Sequence, residues 1–165
     1  MNLNHIKKTH GSLLTDESRL QSVNYLNQVL ADEFTLFTKI LNYHWNVTGP
    51  GFISLHTLLE SQYKEMIETM DNVAERVRIL GEAPISTMKG MTSKSDIVEM
   101  NGITMSENEI LNDLLNSNVG VQEKIRDYYI KNAKSLEIDP ITETLLLELL
   151  SMHEQRSWVY RSHLQ

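Results

Sequence analysis

Five side chains in one stretch of the chain, His44, His56, Glu60, Asp71 and Glu75, are of types that bind metal ions: two imidazoles and three carboxylates. Their spacing limits how they can be used. A helix rises about 1.5 Å and turns about 100° per residue. In one helix over 54–80, His56, Glu60, Asp71 and Glu75 therefore share an arc of roughly 100°. Along the axis His56 and Asp71 stand about 22 Å apart, far beyond a metal–ligand bond of about 2–2.5 Å. No single ion joins them within one chain. Two arrangements remain. In one, the face is solvated surface: His56 and Glu60 form an ion pair worth about 0.3–0.5 kcal/mol, and Arg76 or Lys64 neutralises Asp71 and Glu75. In the other, two copies of the helix lie antiparallel about a two-fold axis. The His56–Glu60 end of one copy then meets the Asp71–Glu75 end of the other, and an isologous contact builds two identical sites. A mixed nitrogen and oxygen donor set suits iron(II), manganese or zinc.

Long helices must carry these residues, and the punctuation of the chain supplies them. The three prolines stand at expected helix boundaries: Pro50 in Thr48-Gly49-Pro50-Gly51, Pro84 after Gly81, and Pro140 directly after the N-cap candidate Asp139. Four long helices are expected between them. The first runs over 16–46 with Leu20, Val23, Leu26, Leu30, Phe34, Phe37 and Leu41 inward. The second runs over 54–80 with Leu55, Leu59, Met66, Met70, Val73, Val77 and Leu80 inward. The third starts at the capping box Ser106-Glu107-Asn108-Glu109, and the fourth spans 140–162 through Leu145, Leu149, Met152 and Val159. The connection over 82–105 is long enough for a crossover, with a short helix expected at 95–100. No alternating run flanked by hairpin turns suggests a strand. The fold class expected is all-α, a ferritin-like four-helix bundle with one long crossover. The domain covers 16–165, and 1–15 forms a flexible tail.

Ferritin-like di-iron sites inside a bundle use Glu-x-x-His on two helices. The residues three before each helical histidine are Leu41, Ile53, Leu150 and Tyr160, so that motif is absent. The contrast favours a site between subunits.

Composition narrows the rest. The 165 residues suit one domain with a substantial core. With no cysteine, disulfides, thiolate zinc sites and cysteine nucleophiles are excluded. Neither a signal peptide nor an apolar run of membrane-spanning length is visible, and a cytoplasmic location is expected. A net charge of −7, from 15 Lys+Arg against 22 Asp+Glu, suits cations and disfavours nucleic acid.

The segment Tyr43-His44-Trp45-Asn46-Val47-x-Gly49-x-x-Phe52-x-x-Leu55-His56 resembles the signature of the Dps family, the mini-ferritins. So do Asp71-x-x-Ala74-Glu75-Arg76, Leu80-Gly81-x-x-Pro84 and, near the C-terminus, Glu154-x-x-x-Trp158. The resemblance covers about 20–164. It implies a two-iron ferroxidase centre at each dimer two-fold, with His44 and His56 from one subunit and Asp71 and Glu75 from its partner. Glu60 matches a further carboxylate near the histidines, and Trp45 an aromatic residue close to the iron. The resemblance also implies a hollow homododecamer that stores ferric mineral, with hydrogen peroxide as the preferred oxidant.

The chain departs from the family pattern in two places. Asp139 matches the first acid of a three-fold entry pore, but Thr144 stands where a later Asp is common; Glu143 or Glu137 are substitutes, or these acids simply favour the helix N-terminus. The stretch 1–15 carries Lys7, Lys8, His5 and His10 but no arginine, poor for a DNA-binding tail. Two further readings therefore stand beside the ferroxidase: a DNA-compacting protein with a secondary metal site, and a plain helical bundle with a solvated acidic face.

Overall fold

The computed structural model describes residues 15–100, 105–133 and 139–165. Most of the expected 1–15 tail, with His5, Lys7, Lys8 and His10, lies outside the described residues, and so does Glu137. Within them the chain forms α1 (Asp16–Asn46), α2 (Phe52–Ile79), α3 (Met88–Lys94), α4 (Glu107–Ala133) and α5 (Pro140–His163). None of the described helices is long and apolar enough to cross a membrane.

Local chemistry places the helix starts. Thr15 accepts from the Ser18 amide at 3.2 Å, and Asp16 and Glu17 face the positive end of the α1 dipole. Ser106 and Glu109 close the capping box of α4: the Ser106 amide donates to Glu109 Oε2 at 2.7 Å, and the Glu109 amide to Ser106 Oγ at 3.4 Å. Asp139 caps α5 through the Thr142 amide at 2.9 Å, with Pro140 in the first turn.

α1 packs along α2 and α4 along α5, two hairpins joined by the crossover that carries α3. The short helix thus lies at 88–94, not at the expected 95–100. The reason is Asp32. Its Oδ1 accepts from the Ser95 hydroxyl at 3.0 Å and from the Asp96 amide at 2.8 Å, which holds the chain extended there. The Thr87 side chain meanwhile caps α3 through the Gly90 amide at 3.1 Å.

Burial matches the expected face of α2 closely: Leu55, Leu59, Met66, Val73, Val77 and Leu80 are all buried. Two other assignments change. Leu20 is 49% exposed. On α5 the core line is Leu146, Leu149, His153, Arg156 and Tyr160, while Leu145, Met152 and Val159 flank it half-buried.

The core has two apolar clusters, one around Leu30, Val73, Val121 and Leu149, the other around Leu36, Leu59, Leu114 and Tyr160. Along α1, α4 and α5, buried polar residues separate them, among them Glu33, Asn118 and His153. His153 Nε2 meets Glu33 Oε1 at 2.6 Å, and its Nδ1 meets Asn118 Oδ1 at 2.7 Å. The Asn118 amide donates to the Leu114 carbonyl, so its Oδ1 faces His153 as an acceptor. Both ring nitrogens of His153 thus face oxygen atoms, one of Asn118 and one of the Glu33 carboxylate. Burial alone would push the Glu33 carboxyl up; His153 and then Arg156 outweigh it and hold it below its ordinary range. Glu33, His153 and Arg156 are buried because they sit in the apolar registers of their helices, which periodicity assigns to apolar side chains.

Candidate metal centre

The α1–α2 turn determines the geometry of the two histidines. α1 ends at Asn46, its C-cap Val47 is buried, and the chain reverses through Gly49 at φ 118° before α2 begins. The reversal brings His44 and His56 face to face, with ring centroids 3.8 Å apart and planes 22° from parallel. His44 Nδ1 donates to the His56 carbonyl at 3.0 Å, and His56 Nδ1 donates to the His44 carbonyl at 2.8 Å. A carbonyl only accepts, so both Nδ1 atoms carry hydrogen. In the neutral rings each Nε2 then keeps a lone pair, the state in which imidazole ligates a metal. Phe52 lies 4.9 Å from the His56 ring and Tyr63 5.2 Å from that of His44, confining the pair. Trp45, next in sequence, is 71% exposed.

Glu60 stands one turn beyond His56. Its carboxyl is held below the ordinary range by its hydrogen bond with Lys64 Nζ at 2.5 Å and that ion's charge, with smaller contributions from His44 and His56. It is an available anion, occupied for the present by Lys64.

Asp71 and Glu75 lie on the same helix, exposed and far from the histidines. Among the described residues, no three metal-ligating side chains come together. The two cations that sequence suggested as neutralisers are engaged elsewhere. Lys64 pairs with Glu60. Arg76 is buried against α5, where its Nη2 donates to Asp139 and its Nε to Thr142 Oγ1 at 2.9 Å. The described residues give Asp71 and Glu75 no ion pair. Asp71 borders an open groove of about 700 Å³, lined by Phe34, Ile67, Met70, Ala74, Pro84, Ile85 and Met91. Of the two methionines on this helix, Met66 belongs to the core and Met70 to the groove.

The pore candidates are also placed. Asp139 is committed to capping α5 and to Arg76, the helix-terminus role. Glu143 borders an apolar pocket with Tyr129, Leu146 and Leu147, and the Thr144 hydroxyl donates to the Pro140 carbonyl at 2.9 Å.

Comparison with known proteins gives the family. A model of the ferritin-like domain matches residues 23–165. The chain is 36% identical over 152 residues to a low temperature-induced protein from Nostoc sp., covering 92% of this chain and 84% of that one. It is 33% identical to DNA protection during starvation protein 2 of Bacillus anthracis, covering 87% of this chain and 97% of that one. Among solved structures, a Dps protein from Bacillus brevis matches with TM-score 0.84 and 25% identity, over 92% of this chain and all of that one, 100%. Mycobacterium smegmatis Dps matches with TM-score 0.86 and 25% identity, over 93% of each. The all-α bundle, the signature around His44 and His56, and these matches together show that the chain belongs to the Dps family of ferritin-like proteins.

Proposed function

We propose that this protein is a ferroxidase and iron-storage mini-ferritin: it oxidises iron(II), with hydrogen peroxide as oxidant, and holds the ferric product inside a homododecamer in the cytoplasm. The observation that carries the reading is the reciprocal bonding of His44 and His56, which presents two Nε2 lone pairs side by side. Asp71 and Glu75, which form no ion pair among the described residues, support it, because a second copy docked antiparallel on α2 would bring them to those nitrogens. Glu60 adds a carboxylate on the histidine side once Lys64 releases it.

The chemistry follows from the donor set. Imidazole and carboxylate ligands bind iron(II) weakly and leave positions open to an oxidant. A pair of substrate irons gives up one electron each. One peroxide accepts both, and its O–O bond breaks to hydroxide, so no odd electron is left to form a radical. Carboxylates favour the harder iron(III) product, which hydrolyses toward mineral.

A mixing experiment tests both the residues and the two-fold. His44→Ala and Asp71→Ala homo-oligomers should each oxidise iron(II) no faster than buffer. Co-assembled, a mixed dimer carries one doubly damaged site and one intact site. Random mixing should therefore restore about a quarter of the sites. No recovery in the mixture, with both variants assembled, would exclude a site shared between subunits. A gel shift addresses the DNA-compacting reading, which the net charge of −7 opposes.

A further inference from the structure

Glu107 opens α4, but its carboxylate is not part of the capping box, which Ser106 and Glu109 close. It lies instead against the α1–α2 turn. Oε1 accepts from the Gly51 amide at 2.6 Å. A Cβ on Gly51 would stand 2.4 Å from Oε2, and one on Gly49 would stand 2.7 Å from Oε1. The carboxylate thus sits flush on two glycines in the turn that separates His44 from His56. Gly51 is also the N-cap of α2, and that helix has neither a side-chain cap nor an acidic residue in its first turn. Glu107 supplies from another helix the negative charge that the α2 N-terminus lacks. The histidine pair depends on this turn, because each ring bonds the backbone on the turn's far side.

We infer that Glu107 is a positioning residue for the metal site: by anchoring the 48–51 turn to α4 it sets the mutual placement of His44 and His56, and so the affinity of the site for a divalent cation. The inference rests on reading these histidines as metal ligands. It adds a residue 56 positions after Gly51 that acts on the turn and is not itself a ligand in this reading.

The test uses the assembled full chain, with cobalt(II) as a spectroscopic probe of the site and iron(II) as substrate. Glu107→Ala should weaken cobalt binding and raise the KM for iron(II) about tenfold, the effect typical of outer-shell support, with kcat little changed. Glu107→Gln should recover most of the loss, because its amide oxygen can accept the same N–H. Gly51→Ala supplies the other half of a double-mutant cycle. Gly51 has φ −86°, which alanine adopts freely, so the new methyl acts by displacing the flexible carboxylate. It should reproduce the Glu107→Ala loss in the wild-type background and add nothing to it in the double variant. Unchanged cobalt affinity and KM in an assembled Glu107→Ala protein overturns the inference. So do fully additive effects, a loss confined to kcat, or no cobalt binding by the wild type. If the wild type binds cobalt with the expected coupling but oxidises iron(II) no faster than buffer, the positioning role stands and the ferroxidase proposal fails.

Discussion

His44 and His56 each bond the other's backbone carbonyl through Nδ1, at 3.0 and 2.8 Å, across the α1–α2 turn. Each ring is thereby fixed in tautomer and orientation by the backbone beneath the other. Alanine at either position keeps that carbonyl, so His56→Ala removes one ligand and leaves His44 oriented. It is expected to weaken cobalt(II) binding by at least about tenfold, the lower end of what even an outer-shell change costs. An isothermal titration showing less than a threefold change (about 0.7 kcal/mol, small against a metal bond) would contradict His56 as a ligand.

Lys64 competes with any cation for Glu60. Replacing it with Gln should speed iron(II) oxidation at low ionic strength, with the gain shrinking as salt screens this exposed pair. The pH dependence has a definite sign. Lys64 holds the Glu60 carboxyl below its ordinary range, so Glu60 stays anionic further into acid than a free carboxyl. In Lys64→Gln the Glu60 carboxyl should take up its proton at a higher pH than in the wild type, as carboxyl NMR shifts of the metal-free protein would show. An unchanged or lower midpoint would show that Lys64 does not hold this carboxyl.

Arg76 carries a structural charge. Its guanidinium side chain is 10% exposed and that of Asp139 is 17% exposed. Arg76→Ala would leave the α5 cap carboxylate without its partner, at a cost of about 3 kcal/mol. Asp139→Asn keeps a capping acceptor but leaves the more buried Arg76 guanidinium without its counter-charge, so it should cost a similar amount. Urea denaturation would measure both variants, and a loss below about 1 kcal/mol in either would show that this pair behaves as an exposed one.

The Glu33–His153 pair makes the bundle centre acid-sensitive. Because the Glu33 carboxyl is depressed in the folded chain, its contribution is fully present above the unfolded carboxyl pKa, about 4.3, and is lost as pH falls through the lower folded value. Denaturant midpoints measured from pH 6 down to pH 3 should therefore fall for the wild type. The decline should be shallower for Glu33→Gln, which is less stable at pH 6. Parallel curves for the two proteins would place the acid sensitivity elsewhere.

Much of this molecule is determined by short-range rules. Prolines, caps and apolar spacing place the four long helices, because those signals act within a turn or two of chain. The rise of a helix likewise rules out one chain closing a site between His56 and Asp71. What tertiary structure decided are pairings between distant positions. Arg76 turns to Asp139, 63 residues away, and not to its neighbours Asp71 and Glu75. Glu33 meets His153 across 120 residues, in registers that periodicity assigns to apolar side chains. Asp32 pins Asp96 and so places the crossover helix before residue 95. Glu107 reaches back to Gly51. Each of these depends on which helices become neighbours, and helical period fixes the face a residue occupies but not the partner that face meets.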